Sequence, residues 1–246
     1  MSLILVTGAT AGVGLATVES LVEDGHDVVL HARHPGRVEG VAVAEKVEAM
    51  VCGDLADPAQ VARMAAQAEE IGRFDAVIHN AGVIDGPDVF AVNVVAPYLL
   101  TALMTPPVRW IGLSSSMHRG GSRDLSGLDL DDSSGATSAY STSKLLLTTL
   151  AMALADSIPE TAVHAVDPGW VPTRMGGPGA TDSLQEAHPT QTWLATADLA
   201  RIQPRTGGYW HHRRTQRPHP ATLDPEFRAD VIRLLGEHTG HTLPAT

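Results

Sequence analysis

The sequence predicts one α/β domain built on a doubly wound parallel sheet of about seven strands, with helices on both faces. Short apolar runs alternate with helical patterns from the first residues onward, as in sheets whose parallel strands are joined by crossover helices. A glycine-rich turn directly follows the first apolar run. The chain has 246 residues, 43% of them hydrophobic, which is enough to fill one core. Because no internal repeat or linker divides it, we expect residues 1–246 to form a single domain.

The predicted elements follow one another in a regular order. Strands are predicted at 3–6, 28–30, 47–52, 76–78, 108–113 and 162–166. The glycine-rich turn leads into a helix that ends at Gly25, and longer helical patterns cover 88–104 and 137–157. Asp57 and Pro58 begin another helix, since Asp caps the first N–H groups of a helix and Pro suits its first position.

The last third of the chain is predicted to hold a loop and a final helix. The segment 172–189 is rich in Gly and Pro and is expected to form a loop over a site, so 172–200 is assigned as the substrate loop region. Asp224 caps a predicted helix over 224–240, Pro225 opens it, and Gly240 follows its end.

Charge and cysteine content exclude several classes of function. The net charge of -11 argues against a nucleic-acid partner or an anionic membrane surface, since both attract basic proteins. The single cysteine, Cys52, cannot form an internal disulfide, which favours a reducing compartment such as the cytoplasm. The first residues lack the basic stretch of a signal peptide, and no apolar run has the length of a membrane span.

The turn after the first strand has the composition of a phosphate-binding loop. Gly8, Gly12 and Gly14 are spaced as Gly-xxx-Gly-x-Gly between a strand and a helix. Glycines permit a tight turn and let a pyrophosphate approach the N–H groups at the helix N-terminus. The turn therefore predicts a dinucleotide site, although an ordinary strand-to-helix turn would use glycine as well.

The residues after the second strand indicate which dinucleotide is bound. A NAD site places a carboxylate there for the ribose 2′-hydroxyl, whereas this chain reads Leu-His-Ala-Arg-His over 30–34. Arg33 is well placed for a 2′-phosphate, so NADP(H) is predicted over NAD(H), with a solvated arginine as the alternative. Asp54, after the third strand, could accept from the adenine amine or act as a turn residue.

Tyr140 and Lys144 lie one helical turn apart, so that both side chains project from one face of a helix. Only Lys46 and Lys144 are lysines among the 17 basic residues. We expect the Lys144 ammonium to lower the pKa of Tyr140, so that the phenol can exchange a proton near neutral pH.

Together these motifs resemble the short-chain dehydrogenase/reductase family in its classical form, and the resemblance covers nearly the whole chain. It implies a single-domain Rossmann fold that binds NADP(H). The residues that carry the resemblance are Thr7, Gly8, Gly12 and Gly14, then His79-Asn80-Ala81-Gly82, Asn93, Ser114-Ser115, Tyr140, Lys144, Pro168-Gly169 and Thr173.

The resemblance implies catalytic roles for four residues. Tyr140 would be the general acid in reduction and the general base in oxidation, and Lys144 would also hold the nicotinamide ribose. Ser115 would hydrogen-bond the substrate carbonyl, with Ser116 as runner-up in the run of three serines. Asn93 would hold a water that links the lysine to solvent, with a buried asparagine that satisfies backbone groups as the alternative.

The same resemblance implies a set of cofactor contacts. Asn80 is expected to tie neighbouring strands near the adenosine ribose, and Thr173 to bond the nicotinamide carboxamide. The cofactor contacts implied for this chain are Gly8, Thr10, Gly12, Val13, Gly14, Arg33, Asp54, Leu55, Asn80, Ala81, Gly82, Tyr140, Lys144, Pro168, Gly169 and Thr173.

Among the branches of the family, residues 115–147 look most like the retinol-dehydrogenase-like and carbonyl reductases. The segment 207–210, Gly-Gly-Tyr-Trp, fits that branch and departs from the Asp-Gly-Gly ending of tetrameric members. A homo-oligomer remains open, but the usual tetramer is in doubt. The hydrophobic anchor of membrane-bound retinol enzymes is missing, so retinoid activity is not carried over.

The function implied is an NADP(H)-dependent oxidoreductase that interconverts a ketone or aldehyde and the corresponding alcohol. The alternatives are an NADP(H)-sensing regulator or scaffold without catalysis, and a sugar-nucleotide epimerase. No metal site is expected, because the twelve histidines lack ligand spacing and the adjacent His211 and His212 would face opposite ways along a strand. Trp170, Met175 and Trp193 could line an apolar pocket or pack the loop down.

Overall fold

A computed structural model describes residues 1–134 and 138–244 of the chain. Within them, eight strands form one sheet in the order β3-β2-β1-β4-β5-β6-β7-β8. The first seven strands pair in parallel, and only β8 is antiparallel to its neighbour. This order confirms the predicted doubly wound α/β fold. The strands are β1 Leu3–Val6, β2 Asp27–Ala32, β3 Ala49–Cys52, β4 Ala76–His79, β5 Arg109–Leu113, β6 Ala162–Asp167, β7 Gly208–His211 and β8 Arg214–Gln216.

Helices cover both faces of the sheet, and alternate residues of each strand enter different cores. In β1, Leu5 packs with one hydrophobic cluster while Ile4 and Val6 pack with the other. The helices are α1 Gly12–Glu23, α2 Pro58–Ile71, α3 Ala96–Leu103, α4 Ala139–Ser157, α5 Leu184–Ala187, α6 Pro189–Thr196 and α7 Pro225–Thr239. Helices α1 and α6 cover one face, and α2, α3, α4 and α7 cover the other. The predicted helix start at residue 137 lies outside the described residues.

Two helix starts follow the capping chemistry predicted from the sequence. The Asp57 side chain accepts from the backbone N–H groups of Ala59 at 2.9 Å and Gln60 at 3.3 Å. Asp224 accepts from the N–H of Glu226 at 3.1 Å in the same way. Each cap satisfies N–H groups that have no partner within the helix.

The helical stretch predicted at 88–104 is interrupted. Residues Ala91–Val95 form a π-helical segment between two α-helical residues at 89–90 and helix α3, which begins at Ala96. Pro97 has no N–H, so it cannot donate the regular helical bond to the carbonyl of Asn93. The proline therefore accounts for irregular backbone at Asn93.

The antiparallel strand β8 was not predicted. His212 and Arg213 form the two-residue turn between β7 and β8, and both have positive φ, 48° and 59°. Such turns normally use Asn and Gly, so the sequence gives no turn pattern here. The expectation that His211 and His212 face opposite ways is wrong, because His212 lies in the turn and its ring stacks on that of His211 at 3.9 Å.

We predict that Gly14→Ala destabilises the fold by about 1–3 kcal/mol. A Cβ at residue 14 would lie 2.3 Å from Asn80 Nδ2 and 2.5 Å from the carbonyl oxygen of Gly8. Urea unfolding gives the measurement. Gly36→Ala is the matched control, because the nearest atom to its Cβ would be 3.4 Å away, on the exposed His34 side chain. Equal unfolding midpoints for the two variants would contradict the close packing at Gly14.

Candidate active site

The glycine-rich turn lies directly against the residues that follow β4. Asn80 Nδ2 donates to the carbonyl oxygens of Thr7 at 2.9 Å and Gly8 at 3.1 Å, as expected of a residue that ties neighbouring strands. The Ala81 N–H donates to Thr7 Oγ1 at 3.0 Å. A Cβ on Gly8 would lie 2.8 Å from the Cα of Ala81, and the φ of Gly8 is +63°. Only glycine fits at this position, so that the turn can pack closely against Ala81.

The first turn of α1 presents backbone N–H groups to this edge of the sheet. Ala11 is the residue before the helix, and among the described residues no side chain caps it. Gly12 has a φ of +57°, and Thr10 and Val13 are half-buried beside it. An uncapped helix N-terminus at a glycine turn is a suitable site for an anion.

His31 is a structural residue of this site that the sequence analysis missed. Its Nδ1 accepts from the Gly8 N–H at 3.0 Å, and its Nε2 donates to the Gly53 carbonyl at 2.9 Å. The ring therefore joins the turns that follow β1 and β3. Burial lowers the pKa of His31, so the neutral ring that these two bonds require is favoured. The signal in the sequence was a histidine inside the otherwise apolar run of β2.

Arg33 and Asp54 meet at the carboxyl ends of β2 and β3. Arg33 Nε lies 3.6 Å from Asp54 Oδ1, and the Arg33 side chain is 56% exposed. Asp54 Oδ1 also accepts from the Ala56 N–H at 3.1 Å, which is the bond of the turn residue weighed as an alternative. Leu55 is buried in the core beside it.

The Ser115 side chain lies near Tyr140 and acts to lower the pKa of the phenol, against the larger effect of burial. The Ser115 hydroxyl also accepts from the Met117 N–H at 3.2 Å, which starts a short 3₁₀ turn over Ser116–Gly120. Ser114 is buried and bonded to Thr148 Oγ1 at 2.7 Å. Of the three serines, Ser115 is therefore the one whose side chain affects the pKa of Tyr140.

Lys144 extends from α4 into the interior, towards the end of β5. Its Nζ donates to the Leu113 carbonyl at 2.7 Å and lies 5.6 Å from the centre of the Tyr140 ring. Burial lowers the pKa of Lys144 to about 8, against the opposing charge of Asp167. The ammonium form still predominates at pH 7.

The expectation that Lys144 lowers the pKa of Tyr140 is wrong for the site as it stands. The pKa of Tyr140 is raised, chiefly by burial of the phenol, although the nearby Ser115 side chain acts in the opposite direction. The carboxylate of Asp167 raises it further, and Lys144 is directed at the Leu113 carbonyl. Tyr140 is therefore a neutral phenol at neutral pH, ready to donate a proton.

Asp167 is a second residue that the sequence analysis missed. It ends β6, is 5% exposed, and lies directly before Pro168. Its side chain accepts from the Tyr209 hydroxyl at 3.2 Å and from the Gly169 N–H at 3.0 Å. A buried carboxylate near Lys144 helps to keep that side chain charged.

The Asn93 side chain is occupied by structural bonds. Its Oδ1 accepts from the Val83 N–H at 2.8 Å. Its Nδ2 donates to the Val83 carbonyl at 2.9 Å and to Ser143 Oγ at 2.9 Å. These bonds match the alternative role of a buried asparagine that hydrogen-bonds to backbone groups. The backbone groups belong to Val83 in the loop after β4 rather than to a helix. A Cβ on Gly82 would lie 3.2 Å from Asn93 Oδ1 and 3.3 Å from Lys144 Nζ, so the three residues meet.

The segment after β6 reaches back to the glycine-rich turn. A Cβ on Gly12 would lie 3.1 Å from Thr173 Cγ2, which brings Thr173 next to α1. Gly169, after Pro168, has a φ of +88°. Of the predicted residues of this segment, Thr173 is therefore the one that lies against the glycine-rich turn.

The aromatic and sulfur-containing residues of the predicted loop divide into two groups. Trp193 packs edge-to-face on Trp210 with ring centres 5.3 Å apart, so it belongs to the core. Trp170 is 53% exposed, and the Tyr140 hydroxyl lies 4.0 Å from Met175 Sδ. Of the three pocket candidates, Met175 contacts Tyr140, and Trp170 lies exposed in the same segment after β6.

Over residues 1–134 and 138–244, no group of three or more His, Cys, Asp and Glu side chains is arranged to hold a metal ion. Among the helices of this part of the chain, none combines the length and apolar character that crossing a membrane requires.

Comparisons with known proteins give consistent results. A family model described as short chain dehydrogenase matches residues 2–183. The short-chain dehydrogenase chyC of Penicillium rubens is 34% identical, over 100% of this chain and 100% of its own length. Retinol dehydrogenase 13 of Homo sapiens is 28% identical, over 95% of this chain and 84% of that protein. The structure of NADPH-bound carbonyl reductase from chicken fatty liver matches with a TM-score of 0.72 and 22% identity, over 89% of this chain and 99% of that one.

We predict that acid destabilises the fold partly through its buried histidines. Burial lowers the pKa of His79 to about 3 and that of His164 to about 4. Below about pH 6.5 these histidines become protonated in the unfolded chain but not in the folded chain. The free energy of unfolding therefore falls from about pH 6.5 towards pH 4. In His79→Leu the free energy of unfolding should fall less steeply as the pH is lowered. The slope should be smaller than that of the wild type by about 1.4 kcal/mol per pH unit. Urea titrations at pH 7, 6 and 5 measure the slope, and parallel slopes for wild type and variant would refute the assignment.

Proposed function

This chain belongs to the short-chain dehydrogenase family and is therefore an oxidoreductase, and we propose that it interconverts a ketone or aldehyde and the corresponding alcohol with NADP(H). The observation that carries the proposal is the convergence of Ser115, Tyr140 and Lys144 beside the glycine-rich turn. A phenol, a hydroxyl and an ammonium group at one point can donate protons and stabilise negative charge on oxygen. The rival, a regulator that senses NADP(H), would not need this set.

The residues of the glycine-rich turn fit the pyrophosphate of a dinucleotide cofactor. Gly8, Gly12 and Gly14 leave room for close approach, and the uncapped first turn of α1, with Thr10 and Val13, offers N–H groups to a pyrophosphate. Because His31 already accepts from the N–H of Gly8, this glycine would serve mainly the shape of the turn. When bound, the cofactor supplies the hydride in reduction and accepts it in oxidation.

The remaining contacts with the cofactor are proposed from the positions of the residues in the fold. Arg33 would hold the 2′-phosphate, which favours NADP(H), and the chicken carbonyl reductase was solved with NADPH. The adenine and its ribose would contact Asp54, Leu55, Asn80, Ala81 and Gly82. Pro168, Gly169 and Thr173 would contact the carboxamide end of the cofactor, beside Lys144 and Tyr140.

The proton chemistry follows from the side chains themselves. Tyr140, whose pKa is raised by burial, would donate its proton to the carbonyl oxygen as the alcohol forms. Ser115 would donate a hydrogen bond to the same oxygen and so polarise the carbonyl. Lys144, with a pKa of about 8, would hold the nicotinamide ribose and pass a proton back towards Tyr140. This protonation pattern favours the direction of reduction.

The backbone carbonyl of Asn93 would help to return a proton from solvent to the reacting groups. Its side chain is saturated, but Pro97 cannot donate to its carbonyl oxygen as a regular helix residue would. A water held at that carbonyl, close to Lys144, would connect the lysine to solvent.

We further propose that residues 1–246 act as one cofactor-binding domain, with 172–200 as the substrate loop region and a small molecule as partner. Location in a reducing compartment, the cytoplasm, remains a prediction from the sequence. Assembly into a homo-oligomer remains an open prediction as well.

We predict that Tyr140→Phe lowers kcat by about 10²- to 10⁴-fold, since it removes the general acid. The Kd for NADPH should change by less than about twofold. Tyr98→Phe is the matched control, because its hydroxyl donates to the His241 carbonyl in another part of the protein. Turnover of small carbonyl compounds, followed by NADPH absorbance, measures the effect. A Tyr140→Phe variant with wild-type kcat would exclude this mechanism, whereas tight NADPH binding by a wild type that reduces no carbonyl would favour the sensor.

We predict that Arg33→Ala weakens NADPH binding by about 10- to 100-fold, the loss expected for a charged hydrogen bond to phosphate. NADH binding should change by less than about twofold. Arg63→Ala, an exposed arginine on α2, is the control. Calorimetric titration with both cofactors gives the comparison. Equal losses for NADPH and NADH would show that Arg33 does not read the 2′-phosphate.

A further inference from the structure

Several large hydrophobic side chains remain exposed, and one of them, that of Met175, lies against Tyr140. Across residues 1–134 and 138–244 they are Met1, Met50, Ile84, Met117, Trp170, Met175 and Leu223. Four of these follow β4, β5 or β6 at the carboxyl edge of the sheet, where Ser115 and Lys144 also lie. Exposed apolar side chains that cluster in this way mark a binding surface.

Trp170 forms a fixed aromatic platform in this surface. Its indole lies over two glycines, with ring carbons 3.4 Å and 3.8 Å from where a Cβ of Gly176 and Gly179 would be. The indole Nε1 donates to the Gly176 carbonyl at 2.9 Å, and the Trp170 backbone N–H donates to Asp182 Oδ2 at 2.6 Å. The ring is anchored yet 53% exposed, so little conformational entropy is lost when a flat ligand stacks on it.

Two methionines flank the reacting groups. Met175 Sδ lies 4.0 Å from the Tyr140 hydroxyl, and its Cε is 3.8 Å from where a Cβ of Gly82 would be, so the side chain crosses the cleft. Met117 follows Ser115 by two residues and is 50% exposed. Methionine is unbranched and polarisable, so it adapts to the edges of aromatic ligands.

A small aliphatic carbonyl would leave most of this surface in contact with water. A flat fused-ring compound would cover the indole with one face and bring its carbonyl between Ser115 and Tyr140. The free energy gained on binding grows with the apolar surface area that is removed from water.

We propose that the substrates are bulky, flat, apolar carbonyl compounds with fused rings, which stack on Trp170 between Met117 and Met175. The proposal rests on the proposed function, since Tyr140 is what makes this surface a substrate site.

The test compares propanal, benzaldehyde and 2-naphthaldehyde as substrates with NADPH. We expect kcat/KM to rise at least tenfold from propanal to 2-naphthaldehyde. Trp170→Ala should lower kcat/KM for 2-naphthaldehyde at least tenfold and leave propanal within twofold, while Trp170→Phe should retain most of the preference. Met175→Ala should reduce the preference, whereas Met50→Ala, the same change on β3, should not.

Equal losses on propanal and 2-naphthaldehyde in Trp170→Ala would overturn the proposal, because they would indicate a purely structural tryptophan. A wild type that reduces all three aldehydes equally well would also overturn it, with the proposed function intact. If no carbonyl is reduced, calorimetry with 2-acetonaphthone separates the two ideas. Binding that Trp170→Ala abolishes would support the fused-ring site and refute only the chemistry, whereas absence of binding would refute the site as well. A change in oligomeric state of Trp170→Ala, seen by light scattering, would identify the surface as a subunit contact and overturn the proposal.

Discussion

The contact on which the site depends is the packing of the glycine-rich turn against the residues after β4. Asn80 holds the carbonyls of Thr7 and Gly8, and Gly14 lies so close to Asn80 that a single added carbon would overlap it. This contact joins β1, the start of α1 and the end of β4 into one unit. His31 extends the unit to the turn after β3. The N-terminus of α1 is therefore fixed in position by backbone and amide bonds, independently of any ligand.

Burial governs the electrostatics of the reacting groups. Burial penalises the charged form of each group, so the pKa of Tyr140 is raised and that of Lys144 is lowered. Asp167 partly restores the charge of Lys144 but makes phenolate still less favourable. The lysine and tyrosine therefore do not form a simple activating pair. Their protonation states also depend on the Asp167 carboxylate at the end of β6.

Features with a local cause could be predicted from the sequence, and features set by distant contacts could not. Asp57 and Asp224 cap the helices that they directly precede, and the glycine spacing marks the turn after β1, because each depends on adjacent residues. The turn at His212 lacks the residues that usually adopt positive φ, so β8 went unpredicted. The bond of Asp167 to Tyr209 joins neighbouring strands, and the pKa of Tyr140 is raised chiefly by burial, so neither depends on adjacent residues. The side chain of Asn93 is occupied by Val83 and Ser143, which no spacing along the chain reveals.

The short strand β8 also determines how the sheet ends. The parallel strands β6 and β7 are almost fully buried, whereas all three residues of β8 are exposed and include Arg214. Sheet edges that are short and charged resist pairing with the edges of other molecules. The hairpin thus covers the backbone of β7 with a strand too short to serve as a template for another chain. At this edge, the molecule is protected against association by sheet extension and against the aggregation to which open edges lead.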